Sequence, residues 1–460
     1  MTRCNPAAVL QAAGLLQSAD GSCPEITGVR EDSRLVRVGD AWVLNAPRSA
    51  QDALRFARDA QQRGAVCVVV PESDAPALHG VVAVPLLVVR DAGAAARALV
   101  FALYGAWIRQ VRWVGITGTN GKTSVAWLAA QMWPGSSAYV GTLGLYADGR
   151  KLRDLANTTP RLSDFLPDLV AAVAAPAAAM VAVEVSSIGI AERRLADMPW
   201  IVRVLTNLTR DHLDFHGTLE QYHLTKLQWF ADDALSRWCE RETLTRVSVP
   251  ASGYSEADLG ADQWTGLPRY VRRNLAGACA VVRALGQTPR TDVALPPGRM
   301  ELVALARARA YVDYAHTPDA LRDVLSGIEL VPGGRLIVVV GAGGDRDRGK
   351  RPLMARAAVE LAHTVIFTSD NPRSEDPGTI LDAMLGTFDE PDAITPRYAA
   401  HGVGLEWYRI ADRAAAIRYA VALAGVNDVI VVAGKGHEQY QEIQGVRQPF
   451  SDHDILRGLA

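Results

Sequence analysis

VRWVGITGTNGKTSVAWLAAQM, residues 111–132, joins an apolar run, a glycine-bearing polar turn and a second apolar segment. Val111 to Thr117 reads as a strand, because a short apolar run bounded by turn residues suits a strand covered on both faces. Val125 to Met132 reads as a helix. Between them, Gly118-Thr119-Asn120-Gly121-Lys122-Thr123-Ser124 lies where a strand ends and a helix begins, so backbone N–H groups and a helix N-terminus converge on one point. Such a point holds phosphate oxygens, with Lys122 reaching them and Thr123 reaching a divalent cation. The strict Walker spacing is not met, since Ile116 stands where its first glycine belongs. A plain glycine turn is the bland alternative, and the succession of strand, GKT and helix favours nucleotide phosphate over it.

Working outward, Met180 to Val185 and Ile201 to Thr206 read as two further strands, each followed by polar residues. That is the pattern of a parallel sheet with its site at the strand C-terminal ends. Toward the N-terminus, Ala65 to Val70 and Val84 to Val89 read as strands and Ala50 to Gly64 as a helix, a small α/β domain. Toward the C-terminus, strands at Ala310 to Asp313, 336–340, 364–368 and 428–433 alternate with helical segments, as in a second doubly wound, Rossmann-like domain. Leu295 to Arg299, LPPGR, is turn-rich and reads as the hinge before it. The expected fold is α/β with three domains, at 1–107, 108–297 and 298–460.

A chain of 460 residues is too long for one ordinary core. Its 48 Lys and Arg nearly balance 50 Asp and Glu, so no general attraction to nucleic acid or an anionic membrane is expected, and any anionic ligand must be held locally. The five cysteines, Cys4, Cys23, Cys67, Cys239 and Cys279, form no CxxC pair and read as reduced thiols. The N-terminus is weak as a secretory signal, and the most apolar run, Leu169 to Val183, contains Pro176 and is too short to span a bilayer. A soluble cytoplasmic protein is expected.

Two strand-end residues point to metal chemistry. Glu184 ends a strand inside EVSS, and His212 follows one in TNLTRDHLDFH. A carboxylate is costly to bury and needs a cation or donor, so beside a phosphate loop both become candidate Mg²⁺ ligands.

GTNGKTS, NTTP (157–160), EVSS, TNLTRDHLDFHG, PGRME, DYAHTPDAL, GAGGDRDRGKRPLM, TSDNPRSEDP and AGKGHEQYQ occur here in the order found in the Mur ligases. The resemblance runs almost continuously over residues 108–460, with DSRLVRVGD (32–40) as its N-terminal landmark, and is strongest to the diaminopimelate-adding members. It implies an amide ligase that uses ATP and Mg²⁺ to join meso-diaminopimelate to a UDP-muramoyl-dipeptide, acting as a monomer in cell-wall precursor synthesis. The three domains would bind UDP, ATP and the amino acid in that order. A carboxylate does not react with an amine in water, so ATP must first convert it to an acyl phosphate.

By the same resemblance, Lys122, Glu184, His212 and Lys226 would be catalytic. Thr123, Glu184, His212 and Lys226 would serve the metals, Lys226 as a carbamate, which requires a neutral, desolvated amine. Asn274, Arg299 and Asp313 would contact the nucleotide. Ser33 would hold the uridine end, and Asn157, Thr158, Thr159, Ser186, Glu192 and Arg194 the muramoyl peptide. In the third domain Arg346, Asp370, Asn371, Pro372, Arg373, Gly434 and Glu438 would select the amino acid. Arg346 and Arg373 would take its distal carboxylate and Glu438 its distal ammonium.

Some positions depart from the family. Ile188 stands where histidine is common, Glu192 where glutamine is usual, NAPRSAQDAL (45–54) replaces a more glycine-rich stretch, and the segment from Trp229 to Arg273 is short. The rivals are a lysine-adding or folylpolyglutamate-synthetase-like ligase, a non-catalytic scaffold and a plain P-loop ATPase. DNPR and KGHE argue against the first, the retained Lys122, Glu184, His212 and Lys226 against the second, and EVSS and DYAH against the third.

Overall fold

The continuous apolar runs are strands buried at every position: LIVVV at Leu336–Val340, VIVVA at Val429–Ala433, TVIF at Thr364–Phe367 and LLVV at Leu86–Val89. β-Branched side chains pack well on a pleated surface covered on both faces. The computed structural model describes residues 2–45, 49–260, 264, 266–386 and 406–459. Its chain divides into two compact units, one of Met1–Val114, Gly135–Val183 and Gly189–Ile201, the other of Gly115–Pro134, Glu184–Ile188 and Val202–Ala460.

In the first unit a five-stranded sheet has the order Leu16–Asp20, Leu86–Val89, Cys67–Pro71, Asp40–Val43, Gly28–Arg30. Its first pair is antiparallel and the rest parallel. The helix Ala50–Gln62 begins where Ser49 accepts a hydrogen bond from Asp52 N, and it buries Ala53, Ala57 and Ala60 against Trp42, Val68 and Val70. Residues 46–48 of the NAPRSAQDAL departure lie outside the described residues. The helix Ala92–Ile108 is capped in the same way by Asp91. Sequence reading missed a meander, Ser137–Gly141, Gly144–Ala147 and Arg150–Arg153, whose first strand pairs in parallel with Met180–Glu184.

Met180–Glu184, Ser137–Gly141, Gly144–Ala147 and Arg150–Arg153 lie side by side in that order, as do Ser252–Tyr254, Ser236–Glu240 and Trp200–Leu205. Ser252–Tyr254, Ser236–Glu240 and Trp200–Leu205 are mutually parallel. The first two fall in the segment Trp229–Arg273, of which residues 261–263 and 265 are outside the described residues. In the second unit the helix Lys122–Met132 starts directly after Gly121, and Cys279 of the helix Arg269–Ala284 lies 3.7 Å from Met132 sulfur to sulfur.

The second unit also holds a six-stranded sheet, Glu301–Ala304, Arg309–Asp313, Val429–Ala433, Leu336–Val340, Thr364–Phe367, Glu406–Arg409. All its pairs are parallel except the first. Pro318–Ser326, Lys350–Leu361 and Pro377–Leu385 cover one face, and Arg413–Leu423 and Asp452–Arg457 the other. Parallel strands flanked by helices on both faces are the doubly wound arrangement the apolar runs imply. All five cysteines are free thiols. Among the described residues no helix is long and apolar enough to cross a membrane.

Candidate functional site

The loop after Arg112–Thr117 is shaped by two glycines that no other residue could replace without strain. Gly118 has φ +141° and Gly121 φ +85°, and a Cβ on Gly121 would stand 2.6 Å from Asn274 Oδ1. The loop is clamped from the next strand end: Thr206 Oγ1 donates to Asn120 O at 2.6 Å, and Asn120 N donates to Asn207 Oδ1 at 2.9 Å. Thr119 accepts from Tyr222 OH at 3.1 Å and from Thr209 N at 3.0 Å. A loop so held presents its N–H groups in a fixed array.

Around this loop the second unit gathers the residues expected for the nucleotide. Asn120, Gly121, Ser124, Asn274, Arg299 and Asp313 line one cleft together with Tyr270, Tyr314 and His316. Arg299 reaches 3.4 Å from Thr123 Oγ1 and lies 4.4 Å above the Tyr314 ring. Asp313 is oriented by Met300 N and Ala315 N, both at 2.8 Å, and burial raises its carboxyl above the usual range. Thr317 Oγ1 donates to Asn120 Oδ1 at 3.2 Å, tying the DYAHT segment to the loop.

The residues expected to be catalytic lie against or near this loop. Lys122 donates to Gly118 O at 3.0 Å and Thr119 O at 2.8 Å, and burial lowers its pKa. Thr123 Oγ1 donates to Glu184 Oε2 at 2.8 Å, and Glu184 is 0% exposed. Lys226 is 1% exposed; its Nζ donates to Gly118 O at 2.9 Å and sits 4.8 Å over the Tyr222 ring. Burial first, and the nearby Lys122 charge second, hold its pKa well below that of a free lysine. A lowered lysine pKa is the condition that carbamylation requires. Burial also pushes His212 down to about 4, against the pull of Asp211, so its imidazole is a neutral, metal-competent base at ordinary pH.

Asp211 was not singled out by sequence reading, although it stands inside TRDH. Burial alone would raise its pKa, yet Lys350 at 3.2 Å, His316 at 3.6 Å and His212 at 3.5 Å hold it well below the usual range. Nearby, Arg210 forms a bidentate pair with Asp347, at 2.9 and 3.1 Å. Among the described residues no group of three or more His, Cys, Asp or Glu forms a metal cluster. The Thr123 hydroxyl with the Glu184 carboxylate is an oxygen pair of the kind that fits Mg²⁺. That ion keeps several waters and takes one or two carboxylates along with substrate phosphates.

A second constellation sits at the strand ends of the six-stranded sheet. Asn371 Nδ2 donates to Glu438 Oε2 at 2.8 Å, while its Oδ1 accepts from Lys435 Nζ at 3.0 Å and from Glu442 N at 2.9 Å. Lys435, missed by sequence reading, is 0% exposed and also donates to Glu438 at 2.9 Å. It fixes which way the Asn371 amide points. Gly434 has φ +116°, and a Cβ there would strike the Asp370 carboxylate. Arg373 has φ +54°, a conformation sparsely populated by side-chain-bearing residues, and donates to Gly344 O at 2.6 Å. Arg346 is exposed, 3.8 Å from Asp214, and its stem lies with the Arg373 guanidinium beside Gly343. Pro372 is buried.

The remaining expected residues belong to the first unit, except Ser186, which belongs to the second. Ser33 is buried at the rim of a cavity of about 740 Å³ lined also by Asp32, Trp42, Phe56 and Arg55. Thr158 Oγ1 lies 3.0 Å from Thr142 Oγ1, Asn157 is exposed, and Arg194 donates to Thr159 O at 2.8 Å. Glu192, the departure from glutamine, pairs with Arg194 at 2.8 Å and Arg161 at 3.9 Å. Its charge is therefore matched locally.

Comparison with known proteins gives the family. Residues 116–235 match the Mur ligase middle domain and residues 298–436 the Mur ligase, glutamate ligase domain. Among curated relatives, the UDP-N-acetylmuramoyl-L-alanyl-D-glutamate–2,6-diaminopimelate ligase of Parabacteroides distasonis is 36% identical, over 97% of this chain and 96% of that protein. The ligase of the same name from Ectopseudomonas mendocina is 38% identical, over 92% of each. Among solved structures, a UDP-N-acetylmuramoyl-L-alanyl-D-glutamate–2,6-diaminopimelate ligase aligns with a TM-score of 0.57 and 27% identity, covering 100% of this chain and 99% of that one. MurF from Acinetobacter baumannii, 15% identical, shares the fold with a TM-score of 0.62 over 94% of this chain and 96% of its own. The chain belongs to the Mur ligase family.

Proposed function

We propose that this protein is the ATP-dependent amide ligase that joins meso-diaminopimelate to UDP-N-acetylmuramoyl-L-alanyl-D-glutamate in peptidoglycan precursor synthesis. It acts in the cytoplasm, as a monomer, without membrane insertion. Its three domains are 1–107 for the uridine end, 108–297 for ATP and 298–460 for the amino acid, with LPPGR as the hinge between the last two. The observation that carries the reading is the pairing of the clamped phosphate loop with the buried Lys226 and Glu184 beside it. Relatives of matching length act on these substrates by name.

Residues of this chain divide the work. Lys122 and the N–H groups of Gly118 to Ser124 receive the ATP phosphates, and Asn274, Arg299 and Asp313 hold the nucleotide in the cleft they line. Mg²⁺, when bound, screens the repulsion between the γ-phosphate and the D-glutamate carboxylate; Thr123 and Glu184 would hold one ion, His212 and carbamylated Lys226 the other. Attack of that carboxylate on the γ-phosphorus expels ADP and leaves an acyl phosphate. The amine of diaminopimelate then adds to the carbonyl, and phosphate departs. Ser33 holds the uridine end, and Asn157, Thr158, Thr159, Ser186, Glu192 and Arg194 hold the muramoyl peptide.

Choice of amino acid falls to Arg346, Asp370, Asn371, Pro372, Arg373, Gly434 and Glu438. Diaminopimelate carries a second amino-acid head that lysine lacks, so a guanidinium fork and a carboxylate set side by side favour it. Arg373→Ala is expected to raise KM for diaminopimelate by at least about tenfold, leaving KM for ATP and the muramoyl peptide little changed. Lysine does not use the arginine, and its poor rate should barely move. Comparison of kcat/KM for both amino acids in wild type and variant tests this; equal losses would assign Arg373 to the fold or to the shared head.

A further inference from the structure

Arg413 and Asp452 form an ion pair in which 0% of either side chain is exposed. Arg413 opens the helix Arg413–Leu423, and Asp452 opens the helix Asp452–Arg457. The guanidinium is a fork on the carboxylate, Nε donating to Oδ1 at 2.8 Å and Nη2 to Oδ2 at 2.7 Å. Its other N–H groups reach two backbone carbonyls: Nη1 donates to Ser369 O at 3.3 Å and Nη2 to Ala433 O at 3.0 Å.

Those two carbonyls stand at the roots of the two loops described above. Ser369 precedes Asp370-Asn371-Pro372-Arg373, and Ala433 precedes Gly434-Lys435-Gly436-His437-Glu438. The strands that feed the loops, Thr364–Phe367 and Val429–Ala433, are not neighbours, because Leu336–Val340 lies between them and pairs with both. No ladder hydrogen bond joins the loop roots, and the Arg413 fork spans that gap. Stability does not account for such a pair, since apolar replacement of a buried ion pair is often neutral or stabilising. Its four hydrogen bonds do account for it: two hold the guanidinium on Asp452, and the other two lock one loop root to the other through a rigid planar group.

We propose that Arg413, aimed by Asp452, is a positioning residue for amino-acid selection, setting the distance between the loop that bears Asn371 and Arg373 and the loop that bears Glu438. The spacing between the groups that receive the distal carboxylate and the distal ammonium of diaminopimelate then depends on it. This rests on the reading that these loops bind the incoming amino acid. Arg413 itself touches no substrate.

The test is the paired variant Arg413→Met with Asp452→Leu, which removes both charges together and leaves none stranded. It should fold, because no charge is left buried without its partner. Its KM for diaminopimelate should rise at least about tenfold, with KM for ATP and the muramoyl peptide within about twofold of wild type. Arg413→Lys provides the same test should the pair fail to fold. It keeps the charge, but a point-charge ammonium cannot span a carboxylate and two carbonyls, and the same selective rise in KM is expected. A folded variant of either kind with a wild-type KM for diaminopimelate overturns the proposal. Arg373→Ala and Glu438→Gln are measured alongside. If these two also leave that KM unchanged, the assignment of the loops to the amino acid has failed; if they raise it while the Arg413 variants do not, only the positioning role has.

Discussion

Lys122→Ala is expected to abolish ADP formation and ligation while leaving the protein folded. The lysine is the first residue of its helix, and its Nζ rests on the carbonyls of Gly118 and Thr119 inside the loop it serves. A charge preorganised at the place where negative charge is redistributed stabilises the transition state without reorganisation. Removing a single such donor costs about 10²–10³ in rate, more when the donor is a full charge. Steady-state assay of ADP release with both substrates present reads the loss, and thermal melting shows that the fold is kept. Near-normal ligation by the variant would remove the phosphate-loop assignment.

Lys226→Ala should be nearly as severe, for a different reason. An amine at 1% exposure, hydrogen-bonded to one carbonyl and with no salt bridge among the described residues, is an expensive thing to bury unless it does chemistry. Burial favours its neutral form, and a neutral amine can attack CO₂, forming a nitrogen–carbon bond and losing a proton to become an anionic carbamate. Loss of that anion should lower kcat by about 10²-fold or more, and short carboxylic acids such as formate or acetate should restore part of it by refilling the position. Lys226→Met should share the kinetic defect yet melt no lower than wild type, because the cost of burying the amine is gone. Full activity in either variant, or a defect that carboxylic acids never relieve together with a lowered melting temperature, would make Lys226 a structural residue.

What could be read from the sequence follows from range. Leu336–Val340, Val429–Ala433 and Arg112–Thr117 carry their own signal, since an unbroken β-branched run between turns has few alternatives. Arg150–Arg153, RKLR, and Val446–Pro449, VRQP, do not: both are polar, exposed or half-buried edge strands whose pairing is decided by a neighbouring hairpin arm. The strand, glycine turn and helix at 112–132 were legible because they are contiguous in the chain. Lys435 and Asp211 lay in plain sight within AGKGHEQYQ and TNLTRDHLDFHG. What gives them meaning is contact with Asn371 and Lys350, 64 and 139 residues away. Periodicity says nothing about such meetings. Glu192 shows the converse: as a residue it is a departure from the family, and only its pairing with Arg194 and Arg161 shows that its charge has partners.

The most direct test of the central claim is a product assay. The purified protein is incubated with UDP-N-acetylmuramoyl-L-alanyl-D-glutamate, ATP and Mg²⁺, with either meso-diaminopimelate or L-lysine as the amine, and the products are weighed by mass spectrometry. One ADP should form per new amide bond, and the muramoyl product should gain the mass of diaminopimelate less water, with lysine giving little product. A lysine adduct as the main product, or ATP hydrolysis that yields no muramoyl tripeptide with either amine, would contradict the account.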